Sequence, residues 1–294
     1  MIRKGAKKTL KKREQKLAIA LPVSIISDIP HIREKTLKIG FIGRAAAIFR
    51  VNEIIIFPDI PGPEQKRDRN LMVSLLSYME TPQYLRKHLF KIRPELRFAG
   101  ILPPLRTPHH PLGKRIKDLK VGEYREGAII SITNSGSIVD IGVERPGLLF
   151  GQKIPINSRV TIKVEQLGKH LRVSLANSDE IDSYWGYNVI SSKASFGRIV
   201  KSGTYDFVIA TSKNAPPFVS VIDNLVKRWK KSKRILLAFG APSRGLQEIL
   251  AQEKINLNNI VDYVINTIPF QGTETVRTEE ALYASLALLN SIVR

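Results

Sequence analysis

Two stretches of alternating strand and helix pattern lie on either side of an interval in which helical periodicity disappears, and this arrangement limits the possible folds more than any other feature. On the amino-terminal side, LAIALPVSII from Leu17 reads as a buried strand. A helix over His31–Phe49 follows, weakened by Gly40 and Gly43, and EIIIF (Glu53–Phe57) is a second buried strand. PDIPGPE is turn chemistry; Gln65–Glu80 then carries Leu71, Leu75, Tyr78 and Met79 at helical spacing, and Thr81-Pro82 reads as the cap and first position of another helix to about Phe90. The rhythm returns from Ser178. A helical pattern over Trp185–Val200 leads to strands Asp206–Thr211, Arg234–Phe239 and Tyr263–Thr267, with helices expected over Pro217–Lys230, Arg244–Gln252 and from Glu279 to the end. Alternation of this kind predicts a parallel sheet with both faces covered. The expected organisation is one α/β domain of residues 17–91 plus 179–294, interrupted by residues 92–178, with 1–16 as a flexible basic arm.

The interval itself has short alternating runs at Tyr124–Thr133, Ser137–Val143, Gly147–Phe150, Arg159–Gln166 and His170–Leu175. Turn residues at Asn134-Ser135-Gly136 and Leu167-Gly168-Lys169 separate some of them. Five short strands fit a small barrel of the oligonucleotide-binding kind, with an unrelated barrel or sandwich as the alternative.

Composition narrows the partner. The chain has 47 Lys and Arg against 26 Asp and Glu, a net charge of +21. Such a surface draws polyanions, of which nucleic acid is the commonest inside cells; a solubility device is the blander alternative. Absence of cysteine removes disulfides, thiolate metal sites and a cysteine nucleophile, and fits a cytoplasmic protein. No apolar run approaches the ~18–20 residues of a membrane span.

In open parallel sheets, ligands sit beyond the carboxyl ends of strands. Three loops occupy that position here: Thr211–Pro217, Gly240–Gly245 and Asn266–Arg277. None is a P-loop or a dinucleotide glycine triad. Ser243 and Thr278 each read as a helix N-cap, which makes Glu279 and Glu280 helix-dipole partners before they are acids or bases. His109-His110 is expected to be solvated or to face RNA, and no metal is expected. The last helix is apolar on most sides, fitting burial within one chain or against a second subunit.

INTIPFQGTETVRTEEALYASLALLN (Ile265–Asn290) resembles the carboxyl-terminal knot of the SPOUT RNA methyltransferases. FGAPSRGLQEIL (Phe239–Leu250) is similar to the preceding cofactor loop, and TLKIGFIGRAAAIFRVNEIIIF (Thr36–Phe57) to the family's first motif. The likeness is to the archaeal and eukaryotic branch that carries a barrel inserted in the knotted domain. It implies a deep trefoil knot, which spacing alone does not reveal. It also implies a homodimer and S-adenosylmethionine bent among the three loops, touching Thr211, Gly240, Gly245, Asn266, Ile268, Gln271, Thr273 and Val276. Arg44 falls on the first-motif arginine, so the resemblance gives it a part in the reaction; a structural ion pair or plain RNA anchoring are its other readings.

Basic clusters mark an RNA path: Lys7, Lys8, Lys11, Lys12 and Arg13 in the arm, Lys114 and Arg115 in the stretch 86–125, Lys230 and Lys231, and Arg277 in the third loop. Tyr124 and Phe150 are the aromatics of the expected barrel that could stack on bases. The combined expectation is methylation of structured ribosomal RNA, on a uridine base nitrogen. Transfer RNA, ribose methylation, or a non-catalytic assembly factor that keeps the fold are the alternatives.

Overall fold

The computed structural model describes residues 12–60, 62–168 and 170–293. Along the chain run β1 (Lys16–Pro22), α1 (Ile32–Ile48), β2 (Glu53–Phe57), α2 (Pro63–Glu80) and a single turn, α3 (Arg86–Leu89). Strands β3 (Tyr124–Thr133), β4 (Gly136–Asp140), β5 (Gly147–Phe150), β6 (Arg159–Gln166) and β7 (Arg172–Leu175) come next. The chain closes with β8 (Asn188–Ser191), α4 (Phe196–Lys201), β9 (Phe207–Thr211), α5 (Ile222–Lys231), β10 (Arg234–Ala238), α6 (Leu246–Ala251), β11 (Tyr263–Ile265) and α7 (Thr278–Ile292). Among the described residues, no helix is long and apolar enough to cross a membrane.

The chain divides into two compact units. One comprises residues 13–79, 95–104 and 187–294, and its strands form a sheet in the order β11-β9-β10-β1-β2-β8. Every pairing in it is parallel. Its central strands are buried along almost their whole length, as strands covered on both faces must be. Gly40 and Gly43, which weaken the helix signal of α1, are there for packing. A Cβ on Gly43 would meet the Tyr187 hydroxyl at 2.8 Å and Leu76 and Met79 at 3.1 Å, and one on Gly40 would meet Pro103 at 2.9 Å.

Three expectations are corrected in this unit. The first strand stops at Pro22, and Val23–Ile26 forms a 3-10 turn. The helix expected over Trp185–Val200 is instead β8, an edge strand pairing with β2, followed by the short α4. The pairing supplies hydrogen bonds that outweigh a weak local helical pattern. The arm expected to be free to residue 16 is held from Arg13 onward: its guanidinium donates to Phe49 O (3.2 Å) and Asn290 Oδ1 (3.1 Å) and lies over the Trp229 ring.

The other unit takes in residues 80–94 and 105–186, so it starts at 80 where 92 was expected, ends at 186 where 178 was expected, and leaves 95–104 to the first unit. Its strands close a barrel in the order β3-β4-β5-β7-β6, with β3 pairing to both β4 and β6 and with β5 parallel to β7. Ile129, Val139, Leu149, Ile162, Val164 and Val173 fill its core. Beside the core lies a polar hub. Arg159 forks between the carboxylates of Glu80 and Glu126, and Glu126 also accepts from Thr161 and Trp185. His109 and His110 both donate to Glu80 O, at 2.9 and 2.6 Å. His109 is fully buried, which corrects the expectation of a solvated or RNA-facing pair. Lys12, at the described end of the arm, donates from Nζ to Asp179 O (2.8 Å) in this unit.

Candidate active site

The carboxyl ends of β9, β10 and β11 point the same way, so their three loops share one edge of the sheet. Asn266 staples the first loop to the third. Its Nδ2 donates to Lys213 O (2.9 Å), its Oδ1 accepts from Ile268 N (2.9 Å), and its carbonyl accepts from Phe218 N (2.8 Å). Thr211 closes the gap to β10 by donating to Ala238 O (3.1 Å).

The second loop is a tight turn in which Ala241 N donates to Arg244 O (2.8 Å). A Cβ on Gly240 would fall 2.9 Å from Gly245 Cα, so the turn itself requires that glycine. No such reason applies to Gly245, where a Cβ would meet open space. Arg244 ties the turn down by donating to Asp59 O (2.7 Å) and Oδ2 (3.0 Å). Asp59, fully buried, also accepts from Ser24 N, Ser24 Oγ and Gln65 Nε2.

In the third loop, Gln271 Nε2 donates to Thr273 O (2.8 Å) and Glu274 O (3.1 Å). The caps differ from expectation. Gly245 and Arg277 stand at the N-cap positions, and their amides donate to Glu248 and Glu280. Thr278 is the first helical residue, and its hydroxyl reaches Gly240 O (3.4 Å). These bonds hold the third loop's end against the second.

The loops enclose one cleft. Thr211, Gly240, Gly245, Asn266, Ile268, Gln271 and Val276 all line it, with Thr267, Thr278 and Ala281. Thr273 does not; its hydroxyl is turned to Thr275 O (3.1 Å) and shapes the loop. The enclosed space is about 170 Å³, so a ligand of nucleoside size would extend into the open mouth. Arg44 does not line this cleft; on α1, it donates to Pro104 O (3.0 Å).

Among the RNA candidates, Lys7, Lys8 and Lys11 lie outside the described residues. Lys114, Arg115, Lys230, Lys231 and Arg277 are exposed, whereas Lys12 and Arg13 are engaged in the contacts above. Phe150 stands out from the barrel and Tyr124 is half-buried. Sequence reasoning missed two residues. Asp59 was hidden in what reads as turn chemistry. Phe270 is 99% exposed in the third loop with φ of 59°, a conformation with no sequence signal for a bulky residue.

Comparison with known proteins gives this geometry a context. The profile of the family described as "Putative RNA methyltransferase" matches residues 16–289. An uncharacterised protein of Halobacterium salinarum is 32% identical over 92% of this chain and 98% of its own length. A Drosophila melanogaster protein named 28S rRNA (uridine-N(3))-methyltransferase is 31% identical over 93% of this chain, which spans 61% of that longer protein. The human protein of the same name is 30% identical over 97% of this chain and 80% of its own.

Proposed function

The chain belongs to the RNA methyltransferase family, and we propose that it methylates a uridine base nitrogen of structured ribosomal RNA, using S-adenosylmethionine as donor. The observation that carries this reading is the convergence of three strand-end loops on one cleft, lined by seven of the eight residues to which the SPOUT resemblance assigns the donor. The fit has a local mark as well: Gly245 leaves open the space a side chain would fill, at a point where the cleft needs close approach of backbone to ligand.

In this reading Gly240, Gly245, Asn266, Ile268, Gln271 and Val276 hold the donor, largely through backbone. When bound, it supplies a methyl group activated by positive sulfur. The chain's own contribution is position: loops pinned by Asn266, Arg244 and Thr278 preset the cleft, so little ordering is left to do when reactants meet. Arg44 acts on the acceptor side, stabilising negative charge or holding a phosphate. Arg44→Ala lowers turnover much more than donor affinity; equal turnover removes it from the mechanism.

The same reading includes a knotted α7, a homodimer and an oligonucleotide-binding role for the barrel, whose exposed Phe150 supports it. Mass spectrometry of ribosomal RNA from cells lacking the gene tests the function. One 3-methyluridine is lost from that RNA; an unchanged modification profile refutes the assignment.

A further inference from the structure

The strands of the sheet all run parallel, so they start on one edge and end on the other. The donor cleft sits over the ends, and a different surface forms over the starts. In β9 and β10 five residues of strand separate the two, roughly 16 Å at the usual rise per residue.

Helices that connect parallel strands run back against them and deliver their carboxyl termini to the starting edge. Lys201 ends α4, and Lys230 and Lys231 end α5. With Lys227 they are spaced i, i+3 and i+4, on the face of α5 away from buried Leu225 and Trp229. Lys233 follows in the turn to β10, and Lys16 N donates to its carbonyl (2.8 Å), which sets the first residue of β1 beside it. These lysine side chains are all exposed.

The carboxylates at the strand starts are already committed. Asp206 accepts from Lys233 N (2.9 Å) and Arg234 N (3.0 Å), Asp262 from Val208 N (2.7 Å), and Glu53 from the Tyr205 hydroxyl (2.8 Å) and from Arg234. The two bonds to Asp206 also fix the turn that carries Lys233.

The chemistry around these cations selects the ligand. Phe207 and Trp229 are buried and the Arg234 guanidinium covers the Tyr205 ring, so the surface grips phosphates and has no open ring on which to stack a base. Among the described residues of α4, α5 and the turns that follow them, no large apolar side chain is exposed, whereas a helix lying on lipid turns an apolar face outward.

We propose that the starting edge of the sheet docks double-helical RNA, whose phosphates form fixed rows and whose bases are already stacked away. This rests on the methyltransferase reading for its biological meaning and narrows the substrate class: RNA with a helical arm at least about 16 Å from the modified nucleotide.

The test uses the full chain and a blunt RNA duplex of about 16 base pairs, the span of a double-strand reader, followed by fluorescence anisotropy across a salt series. Lys201→Gln/Lys227→Gln/Lys233→Gln lowers the slope of log affinity against log salt by about 2–3, near one for each cation removed. Lys66→Gln/Arg67→Gln/Lys193→Gln takes the same charge from exposed positions beyond the strand ends and lowers the slope by less than about 1. Both variants keep the wild-type melting temperature. Equal effects of the two sets overturn the proposal, because net charge alone then governs binding. So does a single strand of equal length that loses as much affinity in the first variant, or phosphatidylserine vesicles held through the same lysines in preference to the duplex. Docking of a duplex requires no methyl donor, so a wild type that binds the duplex through this edge but binds no S-adenosylmethionine would sink the enzyme reading and leave this surface standing.

Discussion

Asp59 lies outside the strand-end cleft and yet fixes part of its wall. Its buried carboxylate accepts from Ser24, Gln65 and Arg244 and so fixes the turn that carries Gly240 and Gly245. Arg244→Ala releases that turn and weakens S-adenosylmethionine binding by about tenfold, the usual cost of losing one supporting charge-assisted bond. Calorimetry checks it, and unchanged affinity would show that the turn holds itself. Asp59→Ala costs more, about 3–5 kcal/mol of unfolding free energy, because it strands a paired guanidinium. Phe270 poses the opposite case. A bulky residue with φ of 59° and a fully exposed ring is strained and gains nothing from burial. Phe270→Gly should raise stability by roughly 1 kcal/mol while weakening RNA binding; unaltered RNA affinity would leave the ring without a role. At this scale sequence reading finds residues of special type at strand ends, such as Gly240 and Asn266. It misses Asp59 and Phe270, whose significance lies in partners or backbone angles that no local pattern records.

Elements whose signal is a buried apolar run are legible in the sequence. Strands β2, β3, β5 and β6 fall where the pattern puts them, since burial on a pleated surface selects the residues directly. β8 is not legible. It is half-exposed, four residues long, and exists because β2 offers an unpaired edge. The histidine pair is a similar case: two adjacent ring residues in a loop look solvated until Glu80, at the end of α2, is seen to accept from both. That hub gives the barrel unit a pH dependence. Burial, together with neighbouring His109, pushes His110 down to about 4, so it is neutral when folded. Burial alone would raise Glu80, but hydrogen bonds from His109 and Arg159 overcome it and hold the carboxyl down at about 2. Between the ordinary histidine value near 6.5 and about 4, the unfolded chain binds a proton at His110 that the folded chain refuses. Stability is therefore lost as pH drops through that window, by roughly 1–2 kcal/mol from pH 7 to 5. Below the ordinary carboxyl value of 4.5, Glu80 adds to the loss as pH drops towards about 2. Denaturant titrations at pH 7 and 5 on wild type and His110→Gln measure the first part, and a difference that persists in the variant would place its origin elsewhere.

For the whole molecule, the net charge of +21 is the property that most affects how a polyanion meets it. We propose that Lys230 and Lys231, exposed at the end of α5, lie on the RNA path. Replacing both with Glu should reduce RNA affinity and flatten its dependence on salt without changing S-adenosylmethionine binding; an unaltered salt slope would take α5 off the RNA path. The central claim is that the loops after β9, β10 and β11 make one donor site. Gly245→Leu tests it most directly, since a Cβ there meets open space and the change otherwise costs a helix N-cap preference worth about 1 kcal/mol. In calorimetric titration of S-adenosylmethionine into the full chain, the wild type binds saturably with one site per chain, and the folded variant does not bind. A wild type that gives no binding heat, or a variant that binds as tightly as its parent, contradicts the account.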